Sequence, residues 1–168
     1  MALVTAGPGL TNIVTALAGA YLESRELLVI GGQVKTADLS RGKLRQCGIQ
    51  EVDGVALAEP VTILSYRLEE PICKSDFNAL CAYGSIGRAG PLFIEIPLDT
   101  QARIVQESVL GSLPVGTIPE LRKIPALNDA DIAVVLELLA TAERPAVLIG
   151  GGVNKASAKK LAATAQSM

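Results

Sequence analysis

The sequence predicts an α/β fold, a mostly parallel sheet flanked by helices, followed by the start of a second α/β unit. Three observations carry this. Short apolar runs of β type alternate with segments whose apolar residues recur at helical spacing. A Gly-rich turn follows a predicted strand at Gly7-Pro8-Gly9 and again at Gly150-Gly151-Gly152. Hydrophobic residues make up 49% of the chain while aromatic ones are only 3%, so small and aliphatic side chains must do the packing. That suits helices pressed closely onto a parallel sheet.

Each element follows in order. Ala2–Thr5 is a short strand that stops at Gly7-Pro8-Gly9. Leu10, Ile13, Val14, Leu17, Ala18, Tyr21 and Leu22 then mark a helix, and Leu27–Ile30 is a second strand halted by Gly31-Gly32. Strand, Gly-rich turn, helix, strand is a βαβ unit. Residues 33–48 are polar and aperiodic, which predicts a loop. A helix is expected from near Ile49 to Ala58, before Pro60, and an extended run over Val61–Leu68. Ser75 and Asp76 are candidate N-caps of a helix into the early eighties, and Leu92–Ile96 is a strand ended by Pro97. Pro114, Pro119 and Pro125, with Gly111 and Gly116, mark a linker. Beyond it, Asn128 or Asp129 caps a helix through Leu139, Ala146–Ile149 reads as a buried strand, and Lys155–Ala165 as a helix. The domain reading is residues 1–100, a linker over 101–127, and the beginning of another domain over 128–168.

Composition narrows the function. The 168 residues include no His, which excludes a Ser-His-Asp triad, a Cys-His pair and a histidine metal site. Cys47, Cys73 and Cys81 form no CxxC pattern, so reduced thiols in a cytosolic protein are expected. The net charge of −2, without a basic block, points to neither nucleic acid nor a membrane surface. No apolar run approaches the roughly 18 residues that span a bilayer. The expected setting is cytoplasmic.

Four segments, in order and spacing, resemble a family. Val4-Thr5-Ala6-Gly7-Pro8-Gly9-Leu10-Thr11-Asn12 is similar to the strand–GPG–helix signature in the pyrimidine-binding domain of thiamine-diphosphate enzymes. Acetolactate synthases and related carboligases or decarboxylases fit best. Ile30-Gly31-Gly32-Gln33-Val34 resembles that domain's next strand end. Gln50-Glu51-Val52-Asp53, then Pro60-Val61-Thr62, resembles its Gln-Glu helix start and the strand beyond. Gly87-Arg88-Ala89-Gly90-Pro91 through Ile96-Pro97-Leu98-Asp99 resembles its closing segment. Arg144-Pro145 through Gly150-Gly151-Gly152 looks like the opening of the family's Rossmann-like central domain. Many acetolactate synthases place Phe before the Gln-Glu pair, where this chain has Ile49.

The resemblance implies a piece of an enzyme that decarboxylates a 2-keto acid such as pyruvate and joins the product to a second carbonyl. The family's activating glutamate would lie before Met1, and its magnesium ligands far beyond Met168. The chain is therefore expected to be truncated at both ends and inactive alone. The implied cofactor is thiamine diphosphate, with magnesium bound by a region absent from this chain and FAD allowed in the full-length enzyme. Gly7, Pro8, Gly9 and Asn12 would border the pyrimidine. The Gln50 amide would face the reacting carbon, where it could donate to a developing oxyanion. A homodimer or homotetramer is implied, because the family binds its cofactor between subunits.

Plainer readings stay open beside these. Gly7-Pro8-Gly9 could be a ligand-free turn, and Glu51 and Asp53 could simply favour a helix N-terminus. Arg88 fits a structural residue better than a phosphate clamp, Gly150-Gly151-Gly152 lacks a full GxGxxG, and Cys47 has no base nearby in sequence. The alternative functions are a non-catalytic α/β module and, with less support, a small nucleotide-binding domain.

Overall fold

Four of the apolar runs become strands and pair in parallel in the computed structural model, which describes residues 1–106, 110–120 and 126–166. The strands are β1 (Ala2–Val4), β2 (Leu27–Gln33), β3 (Leu64–Arg67) and β4 (Pro91–Pro97), in the order β1-β2-β4-β3. Parallel neighbours need crossovers. Helix α1 (Pro8–Leu22) joins β1 to β2, α2 (Gly54–Ala58) precedes β3, and α3 (Lys74–Tyr83) leads to β4. The short α4 (Leu98–Gln101) follows β4 directly. The chain divides into two compact units, Met1–Glu120 and Leu121–Met168, and all of these elements lie in the first.

Strand alternation sorts the core onto the two sheet faces. Phe93 and Val29 pack with Leu10, Leu17 and Ala58 on the side of α1 and α2. Leu92 and Ile94 pack with Leu64, Leu68 and Leu80 on the side of α3. Leu10 and Leu17, seven residues apart on α1, are both buried, each worth about 1.5–3 kcal/mol by apolar area removed from water. Helix α1 closes in a Schellman turn. Arg25 N–H donates to Ala20 O at 2.8 Å and Ser24 N–H to Tyr21 O at 3.3 Å, with Ser24 in the left-handed region at φ 54°.

Several expectations change. β2 runs through Gly31-Gly32 to Gln33 instead of stopping there. A Cβ on Gly31 would lie 2.9 Å from the Phe93 ring, so this glycine makes room for a core aromatic and does not end the strand. Helix α2 begins at Gly54, not near Ile49, because Asp53 is the N-cap and accepts from Ala56 N–H at 3.3 Å. Gln50 and Glu51 thus stand on a loop. The extended run ending at Leu68 is shorter than expected, since Pro60 lies in a 3-10 turn over Glu59–Val61. Cys73, not Ser75 or Asp76, is the N-cap of α3.

The expected linker also differs in part. Gly111 bridges to Ile72, and Leu113 and Ile118 pack against the α3-side core, so residues 110–120 belong to the first unit. Pro125 and the chain end at Met168 lie outside the described residues. In the second unit, α5 (Asp129–Thr141) starts at the Asn128 cap, whose Oδ1 accepts from Asp131 N–H at 2.8 Å. α6 (Lys155–Gln166) follows the glycine turn. Ala146–Ile149 is not a strand. A strand needs a ladder partner, and this unit offers none among the described residues.

Candidate functional site

Because the strands are parallel, their C-terminal ends share one edge of the sheet, the usual place for ligands in open α/β sheets. There a cleft of about 450 Å³ is lined by Thr5, Ala6, Gly32, Gln33, Gly48 and Ile49, with Lys35 and Asp38 among the other wall residues.

The turn after β1 is shaped by a close approach. Gly7 has φ 60° and ψ −112°, a conformation that side chains disfavour, and a Cβ there would lie 2.2 Å from the Gln50 carbonyl oxygen. Pro8 opens α1 with its preset φ, and Gly7 O accepts from Thr11 N–H at 3.0 Å. The first turn of α1 has no side-chain cap and no acidic residue, so the partial positive charge of the helix end is not neutralised by this chain's first turn. Gly7 and Gln50 are therefore brought together, through the backbone and Cβ of Gln50. Pro8, Gly9 and Asn12 stand on the first turns of α1, with Pro8 and Asn12 exposed.

The loop bearing Gln50 is held by its neighbour. Glu51 accepts backbone N–H bonds from Ser40 at 2.6 Å, Cys47 at 2.8 Å and Gly48 at 3.3 Å. Burial pushes its carboxyl up, but these donors outweigh burial and hold it below the ordinary range. Gln50 itself is exposed and left-handed, at φ 58°.

Beneath the loop lies a polar network that the sequence reading missed. Glu95, fully buried on β4, accepts from Gln33 Nε2 at 2.9 Å and from Arg67 Nε in a close ion pair. Gln33 Nε2 also donates to Val52 O at 2.8 Å, and Arg67 donates to Asp53 Oδ1 at 2.9 Å. Burial pushes the Glu95 carboxyl above its usual range despite these donors. Burial also opposes the charge on Arg67, but Glu95 and Asp53 outweigh it and raise its pKa. One signal was visible: a single charge inside the apolar run Leu92–Ile96, which is informative because an unpaired buried charge is costly.

Other candidates resolve locally. Arg88 Nε donates to Ser24 Oγ at 2.7 Å, which fits a structural role at the end of α1. Cys47 is a free, exposed thiol. Among the described residues, no group of three or more His, Cys, Asp or Glu could hold a metal ion, and no helix is long and apolar enough to cross a membrane.

The turn lies within a segment that resembles known proteins. Residues 1–57 match the family described as thiamine pyrophosphate enzyme, N-terminal TPP binding domain. The acetolactate synthase large subunit of Lactococcus lactis is 35% identical over 153 residues, which are 90% of this chain and 25% of that protein. The large subunit of acetolactate synthase isozyme 1 from Escherichia coli K12 is 32% identical over 161 residues, covering 94% and 26%. Glyoxylate carboligase of Escherichia coli O157:H7 is 31% identical over 166 residues, covering 95% and 25%. The chain spans about a quarter of the length of these relatives. Residues 1–57 are thus similar to the N-terminal TPP binding domain of thiamine pyrophosphate enzymes, in a chain distantly similar to part of the acetolactate synthases and glyoxylate carboligase.

Proposed function

We propose that this chain supplies the pyrimidine side of a thiamine-diphosphate site in an acetolactate synthase-like enzyme, acting on a 2-keto acid such as pyruvate by decarboxylation and carboligation. The observation that supports this most is the tight meeting of Gly7 and Gln50 at the C-terminal edge of the sheet.

The residues present fit one end of the cofactor. The cleft is large enough for a flat heterocycle, its walls include backbone and small side chains at Ala6, Gly32 and Gly48, and the helix end beside it carries partial positive charge. Gly7, Pro8, Gly9, Asn12 and Gln50 do not line the cleft but follow its Thr5-Ala6 and Gly48-Ile49 walls in the chain; from there the first four would border the ring and Gln50 would face the reacting centre. The diphosphate and its magnesium need a carboxylate or amide set from elsewhere in the enzyme. When bound, thiamine diphosphate supplies the nucleophilic carbon and the electron sink for loss of carbon dioxide. The chain's own part is positional. Gly7 lets the turn close on the Gln50 backbone, Glu51 holds the loop, and the Gln50 amide would donate to the oxygen on which charge develops.

On this reading, residues 128–168 begin a central domain that could hold FAD in the complete enzyme. The enzyme is a cytoplasmic homodimer or homotetramer, and this chain alone binds without turning over. Thermal melting with thiamine diphosphate and magnesium tests the proposal. At a hundredfold excess over Kd the ligand should stabilise the chain by about 2.7 kcal/mol and raise its melting temperature. A rise with NAD, FAD or ATP but not with thiamine diphosphate would replace the proposal with a nucleotide-binding domain. No rise with any of them would leave a non-catalytic module.

A further inference from the structure

The buried network closes on one short piece of backbone. Gln33 Nε2 reaches Val52 O, and Arg67 reaches the Asp53 carboxylate. A Cβ on Gly54 would lie 2.3 Å from Glu95 Oε1, so Gly54 packs directly on the buried acid. We propose that Gln33, Glu95 and Arg67 are positioning residues that fix the Val52–Gly54 segment and, through it, hold Gln50 against the Gly7-Pro8-Gly9 turn. The functional part of this inference rests on Gln50 facing the reacting centre.

Three features favour positioning over plain stability. A buried ion pair is weak support for stability, because well-packed apolar residues of similar volume often serve as well or better. Here the strand already shows the apolar solution, since Phe93 occupies the same face of β4 one alternation earlier. The network is also aimed. Gln33 Oε1 accepts from Val34 N–H at 2.8 Å, which turns the amide's donor end toward Val52 and Glu95. In the ladder, Gly31 and Arg67 sit opposite Glu95 on its two sides, so one flank leaves space and the other supplies the cation. Finally, Gln50 is a non-glycine residue at φ 58°, a conformation that surrounding structure must enforce.

The test uses the full chain and separates stability from placement. Glu95→Leu combined with Arg67→Met removes the charges together. Its melting temperature should stay near that of the parent, while exchange of the Glu51, Ala56 and Leu57 amides, bonded to Gly48 O, Asp53 Oδ1 and Asp53 O, speeds up by about tenfold or more. Thiamine diphosphate affinity, measured with magnesium present, should fall by about tenfold or more. Arg67→Lys keeps the charge but replaces the planar fork with a point charge that cannot serve Glu95 and Asp53 together, so it should give the same changes in weaker form. It also serves if the double variant does not fold. Parental exchange rates in a folded variant overturn the positioning role. Faster exchange with unchanged thiamine diphosphate affinity supports the positioning of the segment and overturns the reading of Gln50 on which its function rests.

Discussion

The chain contains two glycine turns that look alike in sequence and differ in their surroundings. Gly7-Pro8-Gly9 follows a paired strand, lies against Gln50, and opens a helix whose Leu10 and Leu17 are buried. Gly150-Gly151-Gly152 follows Ala146–Ile149, which pairs with nothing among the described residues, and a Cβ on Gly150 would meet nothing within 4 Å. Leu148 there is 97% exposed. The lesson is that a glycine turn shapes a site only when a ladder fixes the strand before it and a second segment closes on it.

That contrast can be broken at its base. Glu95→Ala should destabilise the first unit by about 3–5 kcal/mol, because Arg67 loses its buried partner. A urea denaturation midpoint checks this, and an unchanged midpoint would mean that the network under the first turn holds nothing.

Gly7→Ala attacks the turn directly. Its backbone conformation and the 2.2 Å approach to Gln50 O together imply a loss of about 2–3 kcal/mol, read from the same denaturation series.

A smaller effect should follow pH. The folded-state pKa of Glu51 is lowered, so its stabilising contribution is present above its unfolded pKa and is lost as pH falls through the folded one. Glu51→Gln should therefore melt below the parent near neutral pH, and the difference should shrink as pH falls below the ordinary carboxylate range. Melting curves of both chains across that window decide it. A difference independent of pH would assign the clasp to shape instead of charge.

Gly150→Ala should do least. With open space around it and no positive φ, alanine should be neutral or stabilise by about 0.4–1 kcal/mol through the unfolded chain. Amide exchange in the second unit would detect any larger change.

Much of the first unit was legible because its period-2 and helical patterns reach partners that complete them. The first βαβ unit follows from Ala2–Thr5, the spacing from Leu10 to Leu22, and Leu27–Ile30, and the observed first strand is one residue shorter, Ala2–Val4. Side-chain competition was harder to read. The sequence predicts a helix from near Ile49, but the Glu51 carboxylate takes three loop N–H groups and Asp53 caps a helix starting at Gly54. Gln33 and Arg67 are not legible in the sequence as partners of Glu95, because β pairing and not sequence spacing brings them there. In the second unit, Ala146–Ile149 has strand composition, but composition cannot supply a partner.

The proposed place of the first turn, with Gln50, beside thiamine diphosphate can be tested on the chain itself. Mapping amide resonances of the chain during titration with thiamine diphosphate and magnesium tests it most directly. The amides of Ala6, Gly9 and Gln50 should shift together with one Kd while those of Gly150–Val153 stay still. Shifts confined to the second turn, or no shift at the first at saturating ligand, would contradict it.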